Sequence, residues 1–272
     1  MTYHRPAAAL EQTFFAIFPR RWYDSNNNLA RRLRLSEEIR KPLPPLEILY
    51  EDNHCLAVAK PAGVPTTHYQ GREETVDRAV KNYLKEKYGK PGNVYLGIVH
   101  RLDRPVSGVL MFARTSKGAA RLAEQFREGT VDKVYWAVVE GTVTKLAGSL
   151  EDWLRKDRQA SRVEVVEPGT PAARQALLHF QRKAQHGGLT WLEVRPQTGR
   201  THQLRVQFAH HGYPIFGDAK YGSVHIFDDA VALHARSLTF LHPIRYEPIT
   251  LTAEVPRTWR GRFAYLLRET SP

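Results

Sequence analysis

His100-Arg101-Leu102-Asp103-Arg104-Pro105-Val106-Ser107-Gly108 is a dense polar run set between two apolar ones, Tyr95-Leu96-Gly97-Ile98-Val99 and Val109-Leu110-Met111-Phe112-Ala113. The flanks have the composition of buried strands, so the run reads as a loop joining two strands inside a sheet. Asp103 has an arginine two residues before it and another immediately after it. A carboxylate beside guanidinium groups is favoured in its charged form, which suits a nucleophile or a base at neutral pH. Pro105 biases Arg104 away from helical geometry, and Gly108 permits a tight return into the next strand. Loops between strands carry both charge and function. Spacing alone therefore leaves a simple turn and an active-site loop equally open.

The same run is similar, almost letter for letter, to the H-R-L-D-R-x-T-S-G motif of the RluA-type pseudouridine synthases, with Val106 where that family usually has Thr. Further blocks follow the family's order between about Leu46 and about Trp259. Lys60-Pro61-Ala62-Gly63 resembles its first motif, and Lys133-Val134-Tyr135-Trp136-Ala137-Val138-Val139-Glu140-Gly141 its K-x-Y-x-A-x-V-x-G strand. Thr198-Gly199-Arg200-Thr201-His202-Gln203-Leu204-Arg205, followed by Gly217-Asp218-Ala219-Lys220-Tyr221-Gly222, resembles its third motif. Leu233-His234-Ala235 and Phe240-Leu241-His242-Pro243 match its usual ending.

The resemblance implies an α/β (α+β) catalytic domain over residues 46–268, a bent, mixed and mostly antiparallel sheet flanked by helices with a basic cleft across its middle. It implies an RNA pseudouridine synthase that takes uridines out of structured RNA, ribosomal or transfer, with no cofactor and no metal. Asp103 would be the reacting carboxylate, Tyr135 would stack on the target base, and Arg200 would pair with Asp103. Arg101 would enter the space the flipped base vacates, with Arg104 and Arg205 as further RNA contacts and Leu233 as an apolar wall of the uracil pocket. Lys60-Pro61-Ala62-Gly63 would pack beneath the site, while Asp218, Lys220 and Tyr221 read as structural. A different class of protein, a non-catalytic RNA-binding or RNA-folding protein of the same fold, is disfavoured by the intact Asp103, Tyr135 and Arg200.

Composition agrees with an RNA partner. Lys and Arg number 40 against 28 Asp and Glu, a formal charge of +12 over 272 residues, which suits a polyanion-binding surface. The single cysteine, Cys55, excludes an internal disulfide and fits a reducing, cytoplasmic setting. No stretch approaches the ~20 apolar residues of a membrane span, and Leu10 to Phe18 lacks the form of a secretory signal. Monomer is the default expectation for the assembly.

Along the chain, residues 1–45 end in Lys41-Pro42-Leu43-Pro44-Pro45, a boundary signal. They read as a partly disordered extension without the S4-type domain of some relatives, and Arg20, Arg21, Arg31, Arg32 and Arg34 could form a basic arm. A hairpin is expected from Glu47–Tyr50 into Cys55–Ala59. Helices are expected at Thr75–Tyr88 with Thr75 as N-cap, from Ser116 as a cap to Gly129, and at Thr201–His211 with Leu204, Phe208 and His211 on one stripe. Val134–Val139 should lie well inside the sheet, and Gly187-Gly188 should turn one strand into Leu189–Val194. Leu146–Gln185 is the least legible part, polar and irregular at first and then strand-like around Ala176-Leu177-Leu178-His179-Phe180. The spacing of the 12 histidines offers no metal-ligand pattern, and there is neither a Walker loop nor a dinucleotide fingerprint.

Overall fold

Strands β2 (Cys55–Lys60) and β4 (Ser107–Ala113) show why the sheet is covered on both faces. Side chains alternate across a strand, and here Leu56, Val58, Leu110 and Phe112 enter one core while Cys55, Ala57, Val109, Met111 and Ala113 enter another. Neither face is left to solvent, which explains why both runs are apolar without alternation. Helix α1 (Val76–Lys87) brings Val76, Val80 and Leu84 to the first core, and α2 (Ser116–Glu128) brings Leu122 to the second.

The computed structural model describes residues 43–67, 74–157 and 162–267; the basic arm and nearly all of the expected extension lie outside them. The remaining strands are β1 (Glu47–Glu51), β3 (Gly97–Ile98), β5 (Asp132–Glu140), β6 (Ala147–Asp157), β7 (Arg162–Val166), β8 (Arg174–His186), β9 (Leu189–Pro196), β10 (Leu233–Leu241) and β11 (Pro248–Thr252). They form an 11-stranded sheet in the order β1-β2-β4-β10-β5-β9-β8-β6-β7, with β11 on β10 and β3 on β4. Helix α3 spans Gln203–His210, and two short helices, α4 (Arg257–Arg262) and α5 (Ala264–Leu267), close the described chain. The architecture is thus the mixed, mostly antiparallel α+β sheet that the motifs imply.

Among the named strands of the described residues, one pairing departs from the antiparallel rule. Strands β4 and β10 run parallel through His234↔Ser107 and Ala235↔Gly108. Gly108 has φ of +119°, and a Cβ built there would meet the Ala235 carbonyl oxygen at 2.2 Å. Only glycine lets the two backbones approach this closely. Across the same step Ser107 Oγ lies 2.9 Å from His234 Nδ1, and His234 Nε2 lies 3.0 Å from the Ala253 carbonyl oxygen. That carbonyl requires the proton on Nε2, so Nδ1 accepts from the serine. Burial holds His234 down to about 4 against the opposing pull of the Ala253 bond, which keeps the ring neutral.

Local signals place most elements, with corrections at their ends. The β1–β2 hairpin forms, its turn organised by Asp52 Oδ1, which accepts from the backbone N–H groups of His54 and Cys55 at 2.8 and 2.7 Å. Gly187 and Gly188 turn β8 into β9 at φ of +55° and +74°. Thr75 stands at the N-cap of α1 without capping it; its hydroxyl donates to Asp77 instead. Thr115, rather than Ser116, caps α2, its Oγ1 accepting from Gly118 N at 3.1 Å. Helix α3 begins at Gln203 instead of Thr201, and Gln203 through Phe208 are all buried. It is enclosed on every side rather than striped.

Candidate active site

The loop between β3 and β4 is clamped from beneath by residues 60–66. Lys60, 1% exposed, donates from Nζ to the carbonyl oxygens of Pro61, Val64 and Arg104 at 2.8, 2.7 and 3.0 Å. Burial drives its ammonium down to about 7, while Asp103 pulls it upward. Three acceptors engage all three ammonium hydrogens, so these bonds also favour the charged form. Gly63 N donates to Arg104 O at 2.9 Å, and Arg104 Nε donates to Gly63 O at 3.0 Å. Thr66 Oγ1 both donates to Leu102 O and accepts from Leu102 N, at 2.8 and 3.2 Å. The residues on either side of Asp103 are therefore fixed to a second turn of chain. Arg104 serves that clamp and is not among the side chains facing the cleft beside Asp103.

That cleft, about 100 Å³, is bordered by Arg101, Asp103, Val106, Lys133, Tyr135, Arg200, His202, Arg205 and Leu233. Its cations give it the positive character that an RNA backbone needs. Tyr135 and Lys133 reach it from alternate positions of β5, between β10 and β9. Burial, and then the nearby Asp103, push the Tyr135 phenol well above its ordinary range, so it is a neutral hydroxyl at physiological pH. Leu233 borders the cleft next to His234, the residue locked to Ser107 across the parallel step. Val106 is 3% exposed and packs in the larger core, an apolar environment that explains how Val is tolerated there. Its N–H donates to Asp103 O at 3.1 Å.

The arginine on Asp103 is Arg205, not Arg200. Arg205 Nη1 donates to Asp103 Oδ2 at 3.0 Å, and the same guanidinium makes a two-pronged pair with Asp218, Nε to Oδ2 at 2.6 Å and Nη2 to Oδ1 at 2.8 Å. Asp218 is 1% exposed and Arg205 5%. A buried aspartate thus aims the guanidinium and leaves its remaining arm for Asp103. Arg200 borders the cleft, but its Nε donates outward to Gln175 O at 3.0 Å. The cause lies in Gln203, whose Oε1 accepts from Arg200 N at 3.0 Å and from Thr198 Oγ1 at 2.7 Å. This side chain ties residues 198–200 into a turn before the helix and sends Arg205 inward one turn later. Asp218, read from sequence as structural, is the partner that reveals the assignment.

His202 completes the setting. It precedes α3 with φ of 52° and ψ of 19°, a left-handed conformation that costs a residue with a side chain roughly 1–3 kcal/mol. Its Nδ1 lies 2.7 Å from Tyr221 Oη and its Nε2 3.8 Å from Asp103 Oδ2. Tyr221 in turn lies under the Arg205 guanidinium, 5.3 Å from ring centre to Cζ.

A second cluster brings Asp52, Cys55 and His242 within 4.8 Å of one another, a grouping that histidine spacing could not disclose. It is a poor metal site. Asp52 is engaged by His54 N, Cys55 N, Tyr50, His242 and Arg245. Burial also raises the Cys55 thiol to about 12, far from the thiolate that metals prefer.

The fold is that of the pseudouridine synthases. The solved structure of human RNA pseudouridylate synthase domain containing 4 matches with a TM-score of 0.66 at 24% identity, over 91% of this chain and 97% of that one. The human domain containing 1 protein matches with a TM-score of 0.63 at 24% identity, over 80% and 87%. At the level of sequence, the family model for RNA pseudouridylate synthases matches residues 54–210. An uncharacterized RNA pseudouridine synthase of Synechocystis is 34% identical over 229 residues, covering 82% of this chain and 69% of its own. The ribosomal large subunit pseudouridine synthase D of Xanthomonas campestris is 35% identical, over 84% and 71%. The tRNA pseudouridine synthase C of Yersinia pestis is 34% identical, over 79% and 89%. The chain belongs to the RluA-type pseudouridine synthase family.

Proposed function

We propose that this enzyme isomerises selected uridines in structured ribosomal or transfer RNA to pseudouridine, with Asp103 as the reacting carboxylate. The observation that carries the reading is the placing of Asp103 in a basic cleft, one oxygen held by Arg205 and the ring of Tyr135 nearby. Reaction requires the base to leave its stack, which costs a few kcal/mol and least in loops and single strands. Arg101, Lys133 and Arg200 at the cleft supply phosphate contacts that offset this cost. Arg101, exposed at the start of the loop, takes the space the base vacates, and Leu233 packs on the uracil. Asp103 attacks the nucleotide or removes a sugar proton; the uracil detaches, rotates and rejoins the ribose through carbon 5. Arg205, donating to Asp103 Oδ2, orients the carboxylate through this sequence. Tyr135, neutral throughout, stacks on the ring and is placed to assist proton movement.

The catalytic domain in this reading runs over residues 46–268. The chain acts without a cofactor, as a monomer in the cytoplasm; among the described residues no helix is long and apolar enough to cross a membrane. Mapping pseudouridine in RNA from cells lacking the protein, complemented with wild type or Asp103→Asn, tests the reading. Sites that return only with wild type support it and identify the substrate. Equal return with the variant rejects it.

A further inference from the structure

We propose that His202 is a positioning residue for the isomerisation, donating from Nε2 to the Asp103 oxygen that Arg205 also holds, so that Oδ1 is presented to the nucleotide. The inference rests on the reading of Asp103 as the reacting carboxylate.

Proton accounting fixes the imidazole. Val163 N–H donates to Tyr221 Oη at 3.1 Å, so the hydrogen of that phenol is free to point to His202 Nδ1, 2.7 Å away. Nδ1 then accepts, and in a neutral ring the proton must sit on Nε2. Nε2 faces Asp103 Oδ2 at 3.8 Å, the same oxygen that receives Arg205 Nη1 at 3.0 Å. The side chain of His202 is 17% exposed. Burial lowers its basicity, Arg205 and Lys220 lower it further, and Asp103 and Asp218 oppose them; the net direction is down. A neutral imidazole with a directed N–H is the result.

The backbone supports the same conclusion. Glycine or asparagine would adopt the left-handed conformation at this position more readily than histidine. The ring is nevertheless held there by Tyr221, which also stacks beneath Arg205. One tyrosine therefore touches both donors to Oδ2, hydrogen-bonding the imidazole and lying under the guanidinium. The 3.8 Å separation exceeds a hydrogen bond, and such contacts shorten when substrate fills a site. Closing it would immobilise the carboxylate from a second direction without adding a second positive charge.

The test uses single-turnover tritium release by the full-length enzyme from bulk RNA of cells lacking the protein, labelled with 5-tritiated uridine, alongside filter-binding affinity for the same RNA. His202→Asn suits the backbone but is too short to reach Oδ2, whereas His202→Gln retains a donor near Nε2. Expected are at least a tenfold loss of rate in His202→Asn with affinity within about threefold of wild type, recovery of most of the rate in His202→Gln, and an intermediate rate in Tyr221→Phe. A wild-type rate in His202→Asn beside an inactive Asp103→Asn overturns the inference and leaves the reading of Asp103 standing. Loss that follows RNA affinity, or equal loss in His202→Gln, overturns it as well. An active Asp103→Asn instead rejects the reading on which it rests. Should His202→Asn fail to fold, Tyr221→Phe decides: a wild-type rate there overturns the inference.

Discussion

Replacing Arg205 by alanine should separate what this residue does for stability from what it does for chemistry. In the folded protein Arg205 is 5% exposed, and its guanidinium satisfies Asp218, itself 1% exposed, through two charged hydrogen bonds. Removing one partner of a buried pair leaves an uncompensated charge and costs about 3–5 kcal/mol. For a domain of this size that corresponds to a fall in Tm of roughly 6–20 °C. Arg205→Ala/Asp218→Ala removes both charges, and the loss should shrink to about 1–2 kcal/mol, mostly packing, because the orphaned carboxylate is gone. Activity should not follow stability, since Asp103 lacks its Arg205 contact in the single and the double variant alike. Urea unfolding followed by tryptophan fluorescence gives the stabilities, and tritium release gives the rates. A double variant no more stable than Arg205→Ala would refute the assignment of Asp218 as the buried partner. Recovery of wild-type activity in the double variant would refute the role of Arg205 at Asp103.

Gly108→Ala should fail to give stable protein, or lose more than about 3 kcal/mol in urea unfolding, because its methyl group would overlap the Ala235 carbonyl across the parallel step. The Cys55 thiol, buried and raised to about 12, should resist iodoacetamide at pH 8 in the folded protein and react once it is unfolded; rapid labelling of the native state would contradict its packing. Glu51 is held down to about 2 despite burial, which alone would raise it, by hydrogen bonds from Lys87, Tyr88 and Tyr83. With its folded value below the ordinary 4.5, its contribution to stability is complete above about pH 4.5 and is lost as pH falls through 2. Glu51→Gln should flatten that part of the stability-pH curve, and an unchanged slope would remove Glu51 as its source.

Much of this architecture is legible in the chain because local chemistry and final environment agree. The apolar runs of β2 and β4 are covered on both faces, and Gly187-Gly188 makes the turn its composition demands. The strands β6 and β7 are the least legible because most of their side chains are only partly buried, so they carry little hydrophobic signal, whereas the Ala176–Phe180 part of β8 reads as a strand. Asp103, Tyr135 and Leu233 could be singled out through their motifs, and they meet at one cleft. The motifs point to Arg200 rather than Arg205 as the arginine on Asp103 because the direction of each is set by Gln203 and Asp218, and no spacing rule reports which of two arginines a distant buried acid will orient. Thr66 carries no signal in the sequence for a similar reason: its hydroxyl acts through Leu102, 36 residues away in sequence.

The parallel step between β4 and β10 also bears on when the site can exist. Ser107 and His234 are separated by 127 residues, so the ladder that seats the catalytic loop closes only after most of the chain is available. Contacts of such sequence separation form slowly, and during synthesis the earlier strands must wait for them. A chain halted before β10 can build the β1–β2 hairpin and β4 but lacks Leu233 and the strand that joins β4 to β5, so the Asp103 loop is not held against Tyr135. Competence to modify RNA should therefore arise late and all at once, as β10 docks, and a nascent chain would leave the transcripts around it untouched.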